Sequence, residues 1–70
     1  MTNDQKLELI QSYIDDIKAY ADNEDMPYNE KQHIRRALTA YEDLFEDTKR
    51  GKIDPDVLHE NITSFLYMLQ

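Results

Sequence analysis

Two carboxylate–histidine pairs in this chain have the spacing of metal ligands on a helix. They are Glu30 with His33 and Asp56 with His59, each three residues apart. In di-metal helical bundles such pairs project inward from two helices and share one metal site. Here each pair lies in the first turn of a predicted helix, and these two helices begin at opposite ends of the predicted bundle. The sequence therefore predicts two surface histidines, no metal site and no cofactor.

A second candidate metal site is the acidic stretch after the first predicted helix, which begins with Asp22 and Glu24. A calcium-binding EF-hand loop needs glycine at its sixth position and a bidentate glutamate at its twelfth. Those positions hold Pro27 and His33. We therefore interpret these acids as solvated and helix-capping side chains.

Catalytic motifs are equally unsupported. Neither Ser12 nor Ser64 lies in a nucleophile motif, and a chain with one glycine cannot build a glycine-rich phosphate loop. Catalysis also needs a pocket with convergent titratable groups, for which a small filled bundle has little room. We predict that the protein is not an enzyme.

The composition is that of a small acidic protein. Its 70 residues are short enough for one domain, residues 1–70, and the absence of cysteine excludes disulfides and thiolate metal sites. The N-terminus is polar, and no apolar run approaches the roughly 20 residues that span a bilayer. These features lead us to expect a cytoplasmic protein that does not enter membranes.

The net charge is −7, and it is distributed unevenly along the chain. Residues 1–28 have a net charge of −5, residues 29–53 of +1, and residues 54–70, which contain no base, of −3. An acidic surface repels DNA, RNA and anionic lipid. We therefore expect no direct nucleic-acid binding, and a partner protein with a basic surface.

Apolar spacing predicts three helices, at about residues 4–21, 30–50 and 55–69. Each has an apolar stripe with spacings of three and four residues, which is the signature of one buried helix face. The three stripes are Leu7, Ile10, Ile14, Ile17 and Ala21; Ile34, Leu38, Tyr41, Phe45 and Thr48; and Leu58, Ile62, Phe65 and Leu69. Short connections make successive helices antiparallel, so the predicted fold is an all-α, up-down-up three-helix bundle.

The predicted helix ends depend on capping residues. Thr2 with Gln5, and Asn29 with Gln32, fit the capping box that begins a helix. Gly51 suits the left-handed position after the second helix. At the start of the third helix, Asp54 is a good N-cap and Pro55 a good first residue.

The acidic residues form the first candidate binding surface. The second helix ends beside the start of the first, so its acids are expected to join Asp4 and Glu8 in one acidic face that Asp15 and Asp16 extend. We expect Arg35 and Arg36 to pair with acids of residues 22–25, which leaves the acids of the second helix less neutralised. The predicted acidic rim is Asp15, Asp16, Glu42, Asp43, Glu46 and Asp47.

Apolar residues outside the core stripes form the second candidate surface. Leu9, Tyr13 and Tyr20 lie together on one flank of the first helix, whereas Tyr67 points outward from the third. Val57 and Met68 lie on another flank of the third helix. Because tyrosine is enriched at binding hot spots, we predict Tyr13, Tyr20 and Tyr67 as anchors, with Leu9 beside them.

Three functions are compatible with these features. We favour a protein-binding regulator or inhibitor that docks on a larger, basic partner protein. One alternative is a nucleic-acid mimic, whose carboxylates replace phosphates and block a DNA- or RNA-binding protein. Another is a structural protein that self-associates through its outer apolar residues, as a homo-oligomer. Small acidic helical proteins are common among phage and mobile-element products, which is an analogy of size and charge alone.

Overall fold

Three α-helices make up the fold in the computed structural model, which describes residues 2–69. They are α1 (Asn3–Ala21), α2 (Tyr28–Lys49) and α3 (Pro55–Leu69), and these residues include no β-strand. All three helices pack against one another. The predicted all-α, up-down-up three-helix bundle is confirmed.

The start of α1 is a reciprocal capping box, as predicted. The backbone N–H of Gln5 donates to the Thr2 hydroxyl at 3.2 Å, and the Thr2 N–H donates to the Gln5 side-chain oxygen at 3.0 Å. Two donors that have no partner inside the helix are thereby satisfied. The helix ends at Ala21, before the loop that leads to Pro27.

The start of α2 differs from the prediction. The helix begins at Tyr28 and its N-cap is Pro27, which makes no side-chain capping hydrogen bond, so the predicted capping box at Asn29 and Gln32 is wrong. Pro27, with φ of −57° and ψ of 145°, occupies the non-helical N-cap position, where the N–H that proline lacks is not needed, so helical geometry begins at Tyr28. Its carbonyl oxygen accepts from the Lys31 N–H at 3.0 Å.

The turn between α2 and α3 follows the prediction closely. Gly51 has a φ of +81°, the left-handed conformation that glycine adopts without strain. Its N–H donates to the Thr48 carbonyl and the Lys52 N–H to the Asp47 carbonyl, which is the Schellman pattern. The Asp54 carboxylate then caps α3 by accepting from the Asp56 N–H at 2.9 Å.

The core is centred on α1, which packs against both other helices. Ile10, Ile14 and Ile17 are 0–1% exposed, and Leu58 and Ile62 of α3 are equally enclosed. Near the N-termini of α1 and α3, the ammonium of Lys6 lies 2.9 Å from a carboxylate oxygen of Asp56. The two helices therefore begin at the same end of the bundle and run parallel, with α2 antiparallel to both.

None of the three helices in residues 2–69 combines the length and the apolar content needed to cross a bilayer.

Candidate functional site

An open groove of about 740 Å³ lies between α1 and α3 and brings together the three predicted tyrosine anchors. We call it the tyrosine groove. Its lining residues come from the second half of α1, one residue of the loop after it, and the second half of α3. They are Tyr13, Asp16, Ala19, Tyr20, Asn23, Thr63, Leu66 and Tyr67.

The parallel packing of α1 and α3 explains why these residues meet. Tyr13 and Tyr20 are seven residues apart, which returns them to the same flank of α1 after two turns. Tyr67 lies near the C-terminal end of α3, and this end packs beside the C-terminal half of α1. No spacing within one helix shows this meeting, because it depends on how the helices pack.

The three tyrosines differ in burial. Tyr13 and Tyr20 are half-buried and pack against the core, whereas Tyr67 is 80% exposed. The Tyr13 ring also contacts the His59 ring, with centroids 5.6 Å apart and planes tilted by 58°. Tyr13 and Tyr20 therefore form the fixed wall of the groove, and Tyr67 is the side chain free to contact another molecule.

The polar groups of the groove are few, and one of them is acidic. Among the described residues that line it, Asp16 is the one charged residue, and it is exposed. The hydroxyl of Thr63 donates to the His59 carbonyl at 2.8 Å, so its proton is already used within α3. Within residues 2–69 Asp16 forms no ion pair.

A second, smaller groove of about 240 Å³ lies between α1 and α2. We call it the α1–α2 groove, and it contains acids of the predicted rim together with two lysines. Its lining residues are Gln11, Ile14, Lys18, Glu42, Asp43, Phe45, Glu46 and Lys49. The Lys49 ammonium lies 2.9 Å from a Glu46 carboxylate oxygen and 4.6 Å from the Phe45 ring centroid. Its hydrogen bond and positive charge hold the pKa of Glu46 below the ordinary value.

The structure places Asp16 on a different surface from Asp15 and the acids of α2, and the expectation that Asp4 and Glu8 join those acids stays a prediction. Successive residues of a helix differ by about 100° in direction, and Asp16 lines the tyrosine groove whereas Asp15 accepts from Gln11 of the α1–α2 groove at 3.1 Å. Glu42, Asp43 and Glu46 belong to the α1–α2 groove. The remaining acid of the set, Asp47, is half-buried and lines neither groove.

The expected pairing of Arg35 and Arg36 with acids of residues 22–25 is also wrong. Across residues 2–69 neither arginine forms an ion pair, and both are exposed. Exposed pairs gain little because water screens them and ordering two long side chains costs entropy. The pair that does join two helices, Lys6 with Asp56, was not predicted. The predicted up-down-up order places the starts of α1 and α3 at one end of the bundle, but it does not specify which side chains face each other there.

The other predicted candidates lie outside both grooves. Leu9 is half-buried on α1, one turn before Tyr13. Val57 and Met68 are 54% and 76% exposed on α3.

Among the described residues no group of three potential ligands is placed to hold a metal ion. In one of the two carboxylate–histidine pairs, Asp56 contacts Lys6 and His59 contacts Tyr13.

Comparison with known proteins yields no relative, since no family model, curated protein or solved structure matches this chain. The function is therefore inferred from the surface chemistry of the two grooves.

Proposed function

We propose that this protein is a non-enzymatic regulator or inhibitor that binds a larger, basic partner protein through the tyrosine groove. The observation that supports this most is the convergence of Tyr13, Tyr20 and Tyr67 in one open groove. These residues come from two helices and are brought together by the fold.

Tyrosine suits this role for physical reasons. It buries a large apolar area, has few rotatable bonds to restrict, and keeps a hydroxyl for hydrogen bonding. In the groove, Tyr20 is already held against the core, and Tyr67 is 80% exposed. A partner that covers Tyr67 would remove its ring from water at little cost in ordering the wall behind it.

Electrostatics supports a basic partner. The chain has a net charge of −7, and Asp16 supplies an unpaired carboxylate within the groove. Long-range attraction accelerates the encounter of oppositely charged proteins, whereas buried aromatic contacts slow dissociation. The acids and tyrosines thus have separate kinetic roles.

The nucleic-acid mimic receives less support. Mimicry of a phosphate backbone needs an uninterrupted array of carboxylates, and the acids of the α1–α2 groove are accompanied by Lys18 and Lys49. Self-association through exposed residues such as Val57 and Met68 remains an alternative outcome of the following test.

The test is affinity capture from a lysate of the source cells with three forms of the protein. These are the wild type, Tyr67→Ala, and Tyr28→Ala as a matched control, because Tyr28 is 72% exposed but lies outside the groove. We expect one dominant partner protein that is lost with Tyr67→Ala and kept with Tyr28→Ala. Equal recovery with both variants would refute the groove as the site, and recovery of the protein itself alone would favour self-association.

A further inference from the structure

We infer that the segment seated in the tyrosine groove is a basic, amphipathic α-helix of the partner protein. This inference rests on the proposed function and specifies what occupies the same site. Three features of the groove support it: the shape of the groove, the lack of backbone hydrogen-bonding partners for an extended peptide, and the negative charge around the groove.

The shape of the groove suits a helix. The groove lies between two parallel helices. It extends along α1 from Tyr13 to Tyr20 and reaches Asn23 in the following loop, and its helical part alone rises about 10 Å, or two helical turns. A third helix laid between two others packs at about 8–10 Å from each axis. Such a helix presents apolar residues at intervals of three and four, which is the recurring helix-in-groove mode of recognition.

An extended segment fits this surface poorly. Extended peptides gain affinity by adding a strand to a sheet edge, and residues 2–69 contain no strand to offer one. The backbone groups of the groove walls are mostly engaged inside α1 and α3. A helix satisfies its own backbone hydrogen bonds, so it needs only side-chain contacts with Tyr20, Leu66 and Tyr67.

The charge around the groove selects a basic helix. Asp16 lines it, Glu60 is exposed on α3, and α3 contains no lysine or arginine. Of the two lysines of α1, Lys18 lines the α1–α2 groove and Lys6 is engaged with Asp56, and neither lines the tyrosine groove. A lysine or arginine at the edge of the bound helix would therefore face negative charge without competition, whereas an acidic helix would be repelled.

The probes are three synthetic peptides of about 18 residues, a length that forms a helix of about 27 Å. All three have the same leucine face. One has lysine on its polar face, one has glutamate, and one is the lysine peptide with a central proline that prevents helix formation. Titration into ¹⁵N-labelled protein, followed by amide chemical shifts, measures both affinity and location.

We expect the lysine peptide to shift the amides of Ala19, Thr63 and Tyr67 most strongly. Its glutamate and proline counterparts should bind at least about tenfold more weakly. Asp16→Lys should weaken the lysine peptide at least about fivefold, and Asp43→Lys, placed in the α1–α2 groove, should change it less than about twofold. Equal binding of the glutamate peptide would overturn the basic occupant, and equal binding of the proline peptide would overturn the helical one.

The two proposals fail in different ways. If Tyr67→Ala abolishes capture of the natural partner but the lysine peptide does not bind in the groove, the docking site stands and the helical basic occupant is wrong. If Tyr67→Ala leaves capture unchanged, the groove is not the site, and the occupant inferred for it is wrong as well.

Discussion

Replacing Tyr13 and Tyr67 separately by alanine should separate folding from binding, because the two residues occupy the same groove at different depths. Tyr13 is half-buried and packs against the core, and its ring centroid lies 5.6 Å from that of His59. Tyr67 is 80% exposed. We predict that Tyr13→Ala destabilises the fold and that Tyr67→Ala does not.

The magnitudes follow from burial. Truncating a fully buried large aromatic residue costs about 3–5 kcal/mol, so a half-buried Tyr13 should lose about 2 kcal/mol, part of it from the contact with His59. For a chain of this size that corresponds to a fall in Tm of about 8–16 °C. Tyr67→Ala removes a solvated ring and gains a better helix former, so its stability should change by less than about 0.5 kcal/mol.

The assay is thermal and urea unfolding of the wild type and both variants, followed by circular dichroism at a helical wavelength. Tyr28→Ala serves as an exposed control outside the groove. If Tyr67→Ala loses as much stability as Tyr13→Ala, then Tyr67 is packed against the bundle in solution. The groove would then be closed, and the reasoning that makes Tyr67 available to a partner would be refuted.

Three further predictions concern the helix ends and the charges. Gly51→Ala should destabilise the protein by about 1–2 kcal/mol in urea unfolding, because Gly51 has a φ of +81° and the added methyl group meets nothing within 4 Å that could offset the strain. Unchanged stability would contradict the left-handed turn. Lys49→Met should raise the pKa of Glu46 toward its ordinary value of 4.5, measured by NMR titration of the carboxylate. Since the pair with Lys49 lowers the folded pKa, its stabilisation is present above the unfolded value and is lost as pH falls through the folded one; an unmoved pKa would argue against the pair. A double-mutant cycle of Lys6→Met and Asp56→Asn should give a coupling free energy of unfolding of up to about 1 kcal/mol, and high salt should reduce it. No coupling at low salt would count against the parallel contact of α1 and α3.

The fold was predictable from the sequence because local signals agree with one another. The apolar stripe that includes Ile10, Ile14 and Ile17 specifies the buried face of α1, and these side chains are 0–1% exposed. Gly51 and Asp54 specify the turn between α2 and α3, and both have the predicted roles. The start of α2 was missed because Pro27 serves as the N-cap, so the helix begins at Tyr28, one residue before the predicted cap at Asn29.

The candidate site was only partly predictable, because it depends on packing between helices. Tyr13 and Tyr20 share a flank in any helix, and this could be derived from their spacing. Their meeting with Tyr67 depends on which flanks of α1 and α3 face each other, and neither a helical wheel nor the predicted up-down-up order specifies this. The separation of Asp15 from Asp16 has the same origin, since each groove begins where a neighbouring helix lies.

The most direct test of the docking site is to map the captured partner on the protein. The purified partner would be titrated into ¹⁵N-labelled protein, and amide chemical shifts would be compared between the two grooves. We predict the largest changes at Ala19, Thr63 and Tyr67, with small changes at Glu42 and Asp43. Changes concentrated at Glu42 and Asp43 would contradict docking through the tyrosine groove and would place the partner on the acids of α2.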